Sequence, residues 1–438
     1  MTIRLKKKSM RHGVPLPKTR LLATNTIEPA PLPDMVILPL PQSVGAPSEV
    51  LVKKGDTVLT GQKIAGSAKD TSVPVHATVH GEVISVTTAV NPSTGEVMKT
   101  IIITSNGADK SVELQPTQNI EALTIEEILK KIREAGIVST GNASSPIYGK
   151  LAVLRDKKVD TLLLDGCDSE LYVAANHRVI LEYGRKVLSG LNVIKRILSP
   201  DNVYITMEDD REDAMEHLEK LIAEMGYDFK IVPINVRYPV AEERILVKTV
   251  LDREVPVGGV PADVGAAVFD VSVAKAIHEA IYEGKPFIDR VVTVTGAVKS
   301  PKNLLVRFGT PIKNLIECCG GITEKSCQVI TDGPVTGTAQ FNLGSPLGKG
   351  TNCVLVKTAK PVKVMECINC GRCVEACPMG LMPCYYPKYV KAGRYSDCQE
   401  NYINNCTECG ACAYICPSNI PIVEYIKIAK KELSRKSK

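Results

Sequence analysis

The chain has 438 residues and a formal net charge of +6, with 44% hydrophobic and 23% charged residues, which is the composition of a globular protein of two to four domains. The sequence has no basic stripe interleaved with aromatic residues, so we do not expect nucleic-acid binding. It has no run of about 18 apolar residues, so we expect no transmembrane helix. The basic N-terminus lacks the apolar core of a signal peptide, so we expect a cytoplasmic protein. In that reducing compartment the 15 cysteines favour metal binding over disulfides.

The N-terminal quarter of the chain predicts an irregular segment followed by a β-sandwich. Residues 1–35 are rich in proline, whereas residues 36–118 alternate apolar and polar positions between Gly and Pro turns, as short strands do. The second stretch resembles a biotinyl- or lipoyl-type barrel-sandwich hybrid. A carrier domain would present a Met-Lys-Met or Asp-Lys-Ala hairpin, but here the hairpin at residues 71–77 has no lysine, and the nearby Lys69 has the wrong flanking residues. We therefore expect a structural sandwich without a covalent cofactor.

Residues 119–290 alternate helices with apolar strands, which predicts an α/β domain with a mainly parallel sheet. The predicted helices are 125–134, 179–198 and 212–225, and the predicted strands are 161–164, 202–206 and 230–234. Residues 291–350 open with an apolar strand at 291–296 and predict a small β-grasp element followed by a linker rich in Gly and Pro. Residues 351–438 form the cysteine-rich domain.

Two cysteine runs near the C-terminus each have the full spacing of a bacterial two-cluster ferredoxin, Cys-x-x-Cys-x-x-Cys-x-x-x-Cys-Pro. In such runs three cysteines bind one 4Fe–4S cluster and the fourth binds the other. We therefore predict one cluster on Cys367, Cys370, Cys373 and Cys416, and one on Cys377, Cys406, Cys409 and Cys412. Two zinc sites are the alternative, but zinc sites use separated cysteine pairs. The runs predict an electron-transfer domain and do not define a substrate.

In the order of its parts, the chain resembles the RnfC family, iron–sulfur subunits of the Rnf electron-transport complex, over nearly its full length. Local motifs carry the resemblance: Ser43-Val44-Gly45-Ala46-Pro47, Lys53-Lys54-Gly55-Asp56, Pro74-Val75-His76-Ala77, residues 255–265 and Lys349-Gly350-Thr351-Asn352-Cys353. The resemblance implies an α/β domain like the flavin subunit of respiratory complex I, a β-grasp element of the SLBB type and a helical ferredoxin-like domain with two 4Fe–4S clusters. It also implies binding of FMN and NADH and a position peripheral to a membrane complex.

Three loops depart from the family's pattern. The glycine-rich loop after the first helix is here 136–145, the acidic turn is 165–170, and the Tyr-Pro-x-Gly-x-Glu-Lys motif has lost its glycine at 238–244. Glycines let backbone amides approach a phosphate closely, so we expect the FMN phosphate, where FMN binds, to lie against the loop 139–145. The candidate FMN- and NADH-binding residues are Gly136, Ser139, Thr140, Gly141, Asn142, Asp165, Asp168 and Glu170. We expect Glu170 to face the flavin or the nicotinamide.

Cys167 follows a buried strand, at the kind of turn where α/β domains present ligands. We therefore consider it, with Glu170, a candidate catalytic residue of redox chemistry, and the alternative is a small buried hydrophobic side chain. The carboxylates of Asp168 and Glu170 should raise the pKa of the thiol. If Cys167 acts in redox chemistry, a helix beginning near Glu170, a bound cofactor or a basic partner surface would have to offset these charges.

We interpret the chain as an electron-transfer iron–sulfur protein. It would pass electrons, from NADH through FMN or from a redox protein, through two 4Fe–4S clusters to a partner reductase. The altered loops look like those of an offshoot that serves a dedicated reductase, and the electron-transfer protein of D-proline reductase is one candidate. The alternatives are the RnfC component of a membrane-bound Rnf-type NADH:ferredoxin oxidoreductase and a corrinoid-reducing subunit. The expected partners are a terminal reductase or another redox protein, and no nucleic acid.

Overall fold

The computed structural model describes residues 3–17, 25–43, 45, 48–66, 72–90, 97–141, 144–235, 237–325, 327–358 and 362–436. Its N-terminal segment, which we expected to be irregular, contributes two short strands, β1 (Lys8–Ser9) and β2 (Ile27–Pro29). They join the edges of two different sheets, β1 in the α/β domain and β2 in the β-grasp domain. The segment therefore ties these two domains together.

The sandwich consists of two antiparallel sheets, ordered β3-β9-β8-β5 and β4-β6-β7. Its strands are β3 (Met35–Pro39), β4 (Glu49–Val50), β5 (Thr57–Val58), β6 (Lys63–Gly66), β7 (Val75–His76), β8 (Gly81–Val90) and β9 (Val97–Ser105). Alternate residues point inward, as Val36, Leu38, Ile101 and Ile103 do, so the period of two in the sequence builds the core.

The α/β domain has a parallel sheet in the order β1-β12-β11-β10-β13. Its elements are α1 (Ile125–Ala135), α2 (Ile147–Arg155), β10 (Thr161–Asp165), α3 (Ala175–Leu198), β11 (Asn202–Glu208), α4 (Glu212–Met225), β12 (Lys230–Asn235), α5 (Glu243–Leu251), β13 (Ala266–Asp270) and α6 (Val271–Tyr282), with short 3-10 turns at Ile120–Ala122 and Pro261–Val264. The chain leaves β10 for β11 on one side and later returns to β13 on the other. The carboxyl end of β10 is thus a topological switch point, where open α/β sheets bind ligands.

The β-grasp domain has a six-stranded sheet in the order β17-β16-β18-β14-β15-β2. Its elements are β14 (Asp289–Gly296), β15 (Lys302–Arg307), α7 (Ile312–Cys318), β16 (Cys327–Thr331), β17 (Thr338–Gln340) and β18 (Cys353–Thr358). Because β18 pairs with both β14 and β16, it belongs to this sheet, although we divided the sequence at residue 350. The hairpin loop 332–337 joins β16 to β17.

The C-terminal domain is helical and carries both cysteine runs. Its helices are α8 (Arg372–Glu375), α9 (Tyr386–Lys391), α10 (Tyr395–Glu400), α11 (Ala411–Tyr414) and α12 (Ile422–Lys436), with a 3-10 turn at Ile403–Asn405. The short helices α8 and α11 occupy equivalent places in the two runs, and each follows a glycine with positive φ, Gly371 (+77°) and Gly410 (+80°). Cys373, Cys398 and Cys412 pack with Tyr386 and Ile426 in a small core of this domain.

Candidate functional site

A cavity of about 370 Å³ opens at the carboxyl ends of β10 and β13. Asp165 ends β10 and Asp270 ends β13, and the strand register places the two residues side by side. The cavity therefore lies at the switch point of the sheet. Its wall carries seven carboxylate side chains, Asp165, Asp168, Glu170, Glu242, Glu243, Asp270 and Asp332.

Burial dominates the electrostatics of this wall. It raises the pKa of Asp165 to about 7 and that of Asp332 to about 7, so both are substantially protonated at neutral pH and their negative charge is reduced. Among the described residues that line the cavity, Lys150 is the only cation. Its ammonium donates to Glu243 Oε1 at 2.5 Å and to the carbonyl of Val268 at 2.6 Å, which fixes it at the rim.

Cys167 lies in the wall of the cavity and is 3% exposed. Burial, followed by the charges of Asp165 and Glu208, raises the pKa of its thiol well above the ordinary value, in the direction that we predicted. Of the three expected sources of compensation, the structure describes only the helix. Helix α3 begins at Ala175, and the amides of Asn176 and His177 in its first turn donate to Asp168, both at 3.0 Å. The positive end of that helix therefore stabilises Asp168 and not a thiolate.

The loop that we expected to hold a phosphate is closed, at its described residues, by backbone hydrogen bonds within the loop and to neighbouring residues. The amide of Ser139 donates to the carbonyl of Ser145 at 2.9 Å, and the amide of Gly141 donates to the carbonyl of Gly350 at 3.0 Å. The amide of Thr140 donates to Asp270 Oδ2 at 3.3 Å. These amides therefore have protein acceptors. Ser139 and Thr140 line the cavity, and their hydroxyl oxygens accept from the amide of Ser145 at 2.9 Å and from Arg290 at 2.6 Å, so each hydroxyl can still donate its hydrogen to a ligand.

Gly136, which we also predicted as part of this site, does not line the cavity. Gly136 caps the C-terminus of α1 with φ of +71°, and its carbonyl accepts from Lys349 Nζ at 2.8 Å. Asn142 lies outside the described residues. Gly136 thus contacts the junction between domains and not a ligand site.

Glu170 lines the cavity, but its carboxylate is held by another domain. It accepts from the amide and hydroxyl of Thr336 at 2.8 and 2.7 Å and from the amide of Val335 at 3.3 Å. Both donor residues belong to the hairpin loop 332–337 of the β-grasp sheet. Glu170 therefore holds this hairpin loop, and its position facing the flavin or the nicotinamide stays a prediction.

The eight cysteines of the two runs lie around two separate cavities. Cys377, Cys406, Cys409 and Cys412 surround one of them, which we call the inner cysteine site. Cys367, Cys370, Cys373 and Cys416 line the other, together with Cys384, and we call it the outer cysteine site. In each site the fourth cysteine comes from the opposite run, which is the crossing that the ferredoxin spacing predicts.

The sulfurs at these sites are not arranged for a single ion. Sulfur ligands of one zinc ion lie within about 4 Å of each other, because each Zn–S bond is about 2.3 Å long. Among the described residues, no three His, Cys, Asp or Glu side chains form a group that could hold one metal ion. Each site brings together four thiols in the full ferredoxin spacing, which is the donor set of a 4Fe–4S cluster.

The inner cysteine site shares a wall with the carboxylate-lined cavity. Thr407 and Cys409 line both, and the hydroxyl of Tyr238 donates to the carbonyl of Cys409 at 2.5 Å. The outer site faces solvent, since Cys370 is exposed and Ile368 and Met382 beside it are 67% and 44% exposed. The inner site thus adjoins the carboxylate-lined cavity, and the outer site lies at the surface.

The sequence matches four protein-family descriptions in chain order. They are the RnfC barrel sandwich hybrid domain over residues 8–108, the Nuo51 FMN-binding domain over 132–279, the SLBB domain over 291–339 and the 4Fe-4S dicluster domain over 366–420. A subunit of the proton-translocating ferredoxin:NAD(+) oxidoreductase complex of Clostridium ljungdahlii is 40% identical over 401 residues, which cover 90% of this chain and 87% of that protein. The chain belongs to the RnfC family.

Other comparisons agree with this family. A subunit of the Na(+)-translocating ferredoxin:NAD(+) oxidoreductase complex of Acetobacterium woodii is 38% identical, with 92% of this chain and 91% of that protein covered. A chain of an NAD+-reducing [NiFe]-hydrogenase superposes with a TM-score of 0.52 at 15% identity, over 70% of this chain and 62% of that chain, a likeness of fold alone. Among the described residues, no helix of this RnfC family member could cross a membrane.

The family match establishes the cofactor domains: a 4Fe–4S dicluster domain and an FMN-binding domain. The cavity at the switch point fits FMN in its position, whereas the loop amides of Ser139, Thr140 and Gly141 already donate to protein acceptors. Sequence reasoning missed Tyr238, Lys150 and the loop 332–337 as parts of the site. The altered Tyr-Pro motif pointed to the region of Tyr238, but no local signal connects the hairpin loop to it.

Proposed function

We propose that the protein is an RnfC-type subunit that passes electrons between NADH and a ferredoxin-class partner, through FMN in the cavity and two 4Fe–4S clusters. The observation that carries this proposal is the wall that the cavity shares with the inner cysteine site through Cys409. Curated relatives at 40% and 38% identity are named as subunits of ferredoxin:NAD(+) oxidoreductase complexes, and on that ground we propose a peripheral position on a membrane complex for this chain.

In this proposal the residues of the cavity bind and orient the cofactor. FMN supplies the exchange between hydride and single-electron chemistry when it is bound. Ser139 and Thr140 offer hydroxyl groups to its phosphate, and Lys150 offers positive charge at the rim. Because burial raises the pKa of Asp165 and Asp332 to about 7, the wall repels an anionic cofactor less than seven ionised carboxylates would.

The cysteines provide the one-electron route. We propose that Cys377, Cys406, Cys409 and Cys412 hold the cluster beside the cavity, and that the outer cysteine site holds the cluster that meets the partner. The surface there combines exposed apolar side chains, Ile368 and Met382, with Lys388 and Lys391 at the rim. Such a surface fits an acidic electron-carrier protein.

The test is a rapid-mixing experiment with anaerobic protein reconstituted with iron, sulfide and FMN. We expect NADH to bleach the visible absorbance of the clusters in protein that carries FMN, and not in the same protein stripped of FMN. Dithionite, which reduces clusters directly, serves as the control for cluster content. Bleaching by dithionite together with no bleaching by NADH would contradict the proposal.

A second candidate is an adaptor that receives electrons from a redox protein and serves a dedicated reductase such as D-proline reductase. The closed loop favours it, because the amides of Ser139, Thr140 and Gly141 already donate to protein acceptors. The comparisons favour the Rnf-type function. Measured FMN content separates the two, since the adaptor requires none, whereas the Rnf-type function requires one FMN for each chain.

A further inference from the structure

The hairpin loop 332–337 of the β-grasp sheet lies between the α/β cavity and the inner cysteine site. It is tightly folded: the amide of Gly337 donates to the carbonyl of Gly333 at 3.1 Å, and a Cβ on Gly337 would lie 2.0 Å from that same carbonyl oxygen. Backbone packed this closely holds one conformation. The loop can therefore fix the position of the inner cysteine site relative to the cavity.

On one side the loop is fixed by Glu170. This carboxylate accepts three hydrogen bonds from Val335 and Thr336, and a Cβ on Gly333 would lie 2.7 Å from the carboxyl carbon of Glu170. Burial raises the pKa of the Glu170 carboxyl, and the hydrogen bonds from Thr336 and Val335 act in the opposite direction. Glu170, in the acidic turn after β10, thus holds a hairpin that is distant in the sequence.

On the other side the loop supports the second cysteine run. A Cβ on Gly410 would lie 2.8 Å from Val335 Cγ1 and 2.9 Å from the carbonyl oxygen of Val335, so the loop lies directly on the backbone beside Cys409. Val335 also packs with Val14, Tyr238 and Ala411. The contact joins the N-terminal segment, the α/β domain, the β-grasp domain and the cluster domain.

We propose that the loop 332–337, held by Glu170, is a latch that fixes the inner cysteine site against the cavity. Glu170 and Thr336 are then positioning residues for electron transfer between the cavity and the inner cluster. The kinetic part of this inference rests on the proposed function, while the structural part does not. The hydrogen bond from Tyr238 to Cys409 links the same two sites beside the latch.

The two cysteine runs supply a matched pair of variants. Gly410 and Gly371 occupy equivalent places with φ of +80° and +77°, but a Cβ on Gly371 has nothing within 4 Å. Alanine strains the backbone equally at both places, and only Gly410→Ala pushes against the latch. Glu170→Gln and Thr336→Val weaken the hydrogen bonds between Glu170 and the loop. Thr336→Ser keeps the hydroxyl and should behave as wild type.

The experiment measures iron content, hydrogen exchange and two reduction rates in each variant. With full iron content, Gly410→Ala, Glu170→Gln and Thr336→Val should exchange the amides at 333, 335–337 and 410–415 about tenfold faster than wild type or Gly371→Ala, since each disturbs the contacts that hold the latch. Reduction of the clusters by NADH should slow about tenfold or more, because small misplacements of reacting centres are costly. Direct reduction by dithionite should not change.

The outcomes separate this inference from the proposed function. Equal exchange in Gly410→Ala and Gly371→Ala would overturn the latch, and so would faster exchange with an unchanged rate of reduction by NADH. If NADH fails to reduce the wild-type clusters, the proposed function falls. The structural part of the latch is then decided by the exchange difference between the two alanine variants.

Discussion

Lys349→Met should change how the stability of the protein depends on pH. Lys349 is 3% exposed, and its ammonium donates to the carbonyls of Pro74 at 3.1 Å and Gly136 at 2.8 Å. These acceptors lie in the sandwich and in the α/β domain, so one buried amine joins three domains. Arg290 donates to the carbonyl of Lys349, and Lys349 faces His76, whose pKa is lowered to about 3 by burial and then by the charge of Lys349.

The size of the effect follows from the burial of this amine, which lowers its pKa from 10.5 to about 7. A difference of about 3.5 units corresponds to about 5 kcal/mol. Because the folded pKa lies below the unfolded value, the unfolded chain binds more protons between pH 7 and 10.5, and the contribution of Lys349 to stability rises with pH across that window. Methionine cannot titrate and removes this rise. It also removes two hydrogen bonds, worth about 1 kcal/mol each.

Near neutral pH the variant should therefore be as stable as wild type or more stable, and near the upper end of the window it should be less stable. The assay is urea denaturation under anaerobic conditions at several pH values across the window, followed by circular dichroism. Lys54→Met, at an exposed lysine of the sandwich, controls for the loss of a positive charge. Parallel pH profiles of wild type and Lys349→Met would refute the reasoning.

Three further predictions concern the electron route. Cys370→Ala should leave about half of the iron, because the loss of one ligand from a two-cluster ferredoxin run removes one cluster. The control is Cys384→Ala, in the same cavity but outside the ligand spacing, which should keep all of the iron. Equal iron in both variants would contradict the assignment. Cys167→Ser should keep both clusters and the rate of reduction by dithionite while slowing delivery to the physiological partner, and an unchanged rate with that partner would return Cys167 to a packing role. Ile368→Asp should raise the apparent KM for an acidic ferredoxin without changing reduction by NADH, because it places a charge on the exposed apolar surface of the outer site; an unchanged KM would exclude that surface.

The elements that sequence reasoning predicted well are those governed by local chemistry. The helix at 212–225 has the observed bounds of α4, since its apolar period and the following Gly226 mark it within one stretch of chain. Helix α3 begins at Ala175 instead of Val179 because its first turn, with the polar residues Asn176, His177 and Arg178, is buried. Its hydrogen bonds to Asp168 cannot be read from hydrophobic periodicity.

The sequence by itself determined the iron–sulfur character of this protein, because cluster ligands must follow one another at a fixed spacing along the chain. The same spacing predicted the exchange of the fourth cysteine, and the structure groups Cys377 with the second run and Cys416 with the first. It also located the acidic turn after β10, since a buried strand followed by polar residues is a local pattern.

Only the tertiary structure decided what these parts do together. Glu170 is separated from Thr336 by 166 residues, and Tyr238 is separated from Cys409 by 171, yet these contacts place the cluster domain on the cavity. The closure of the loop 139–145 depends in the same way on Gly350, whose carbonyl accepts from Gly141. Contacts between domains arise from the packing of whole surfaces, which leaves no local period or spacing in the chain, and so the sequence alone could not show them.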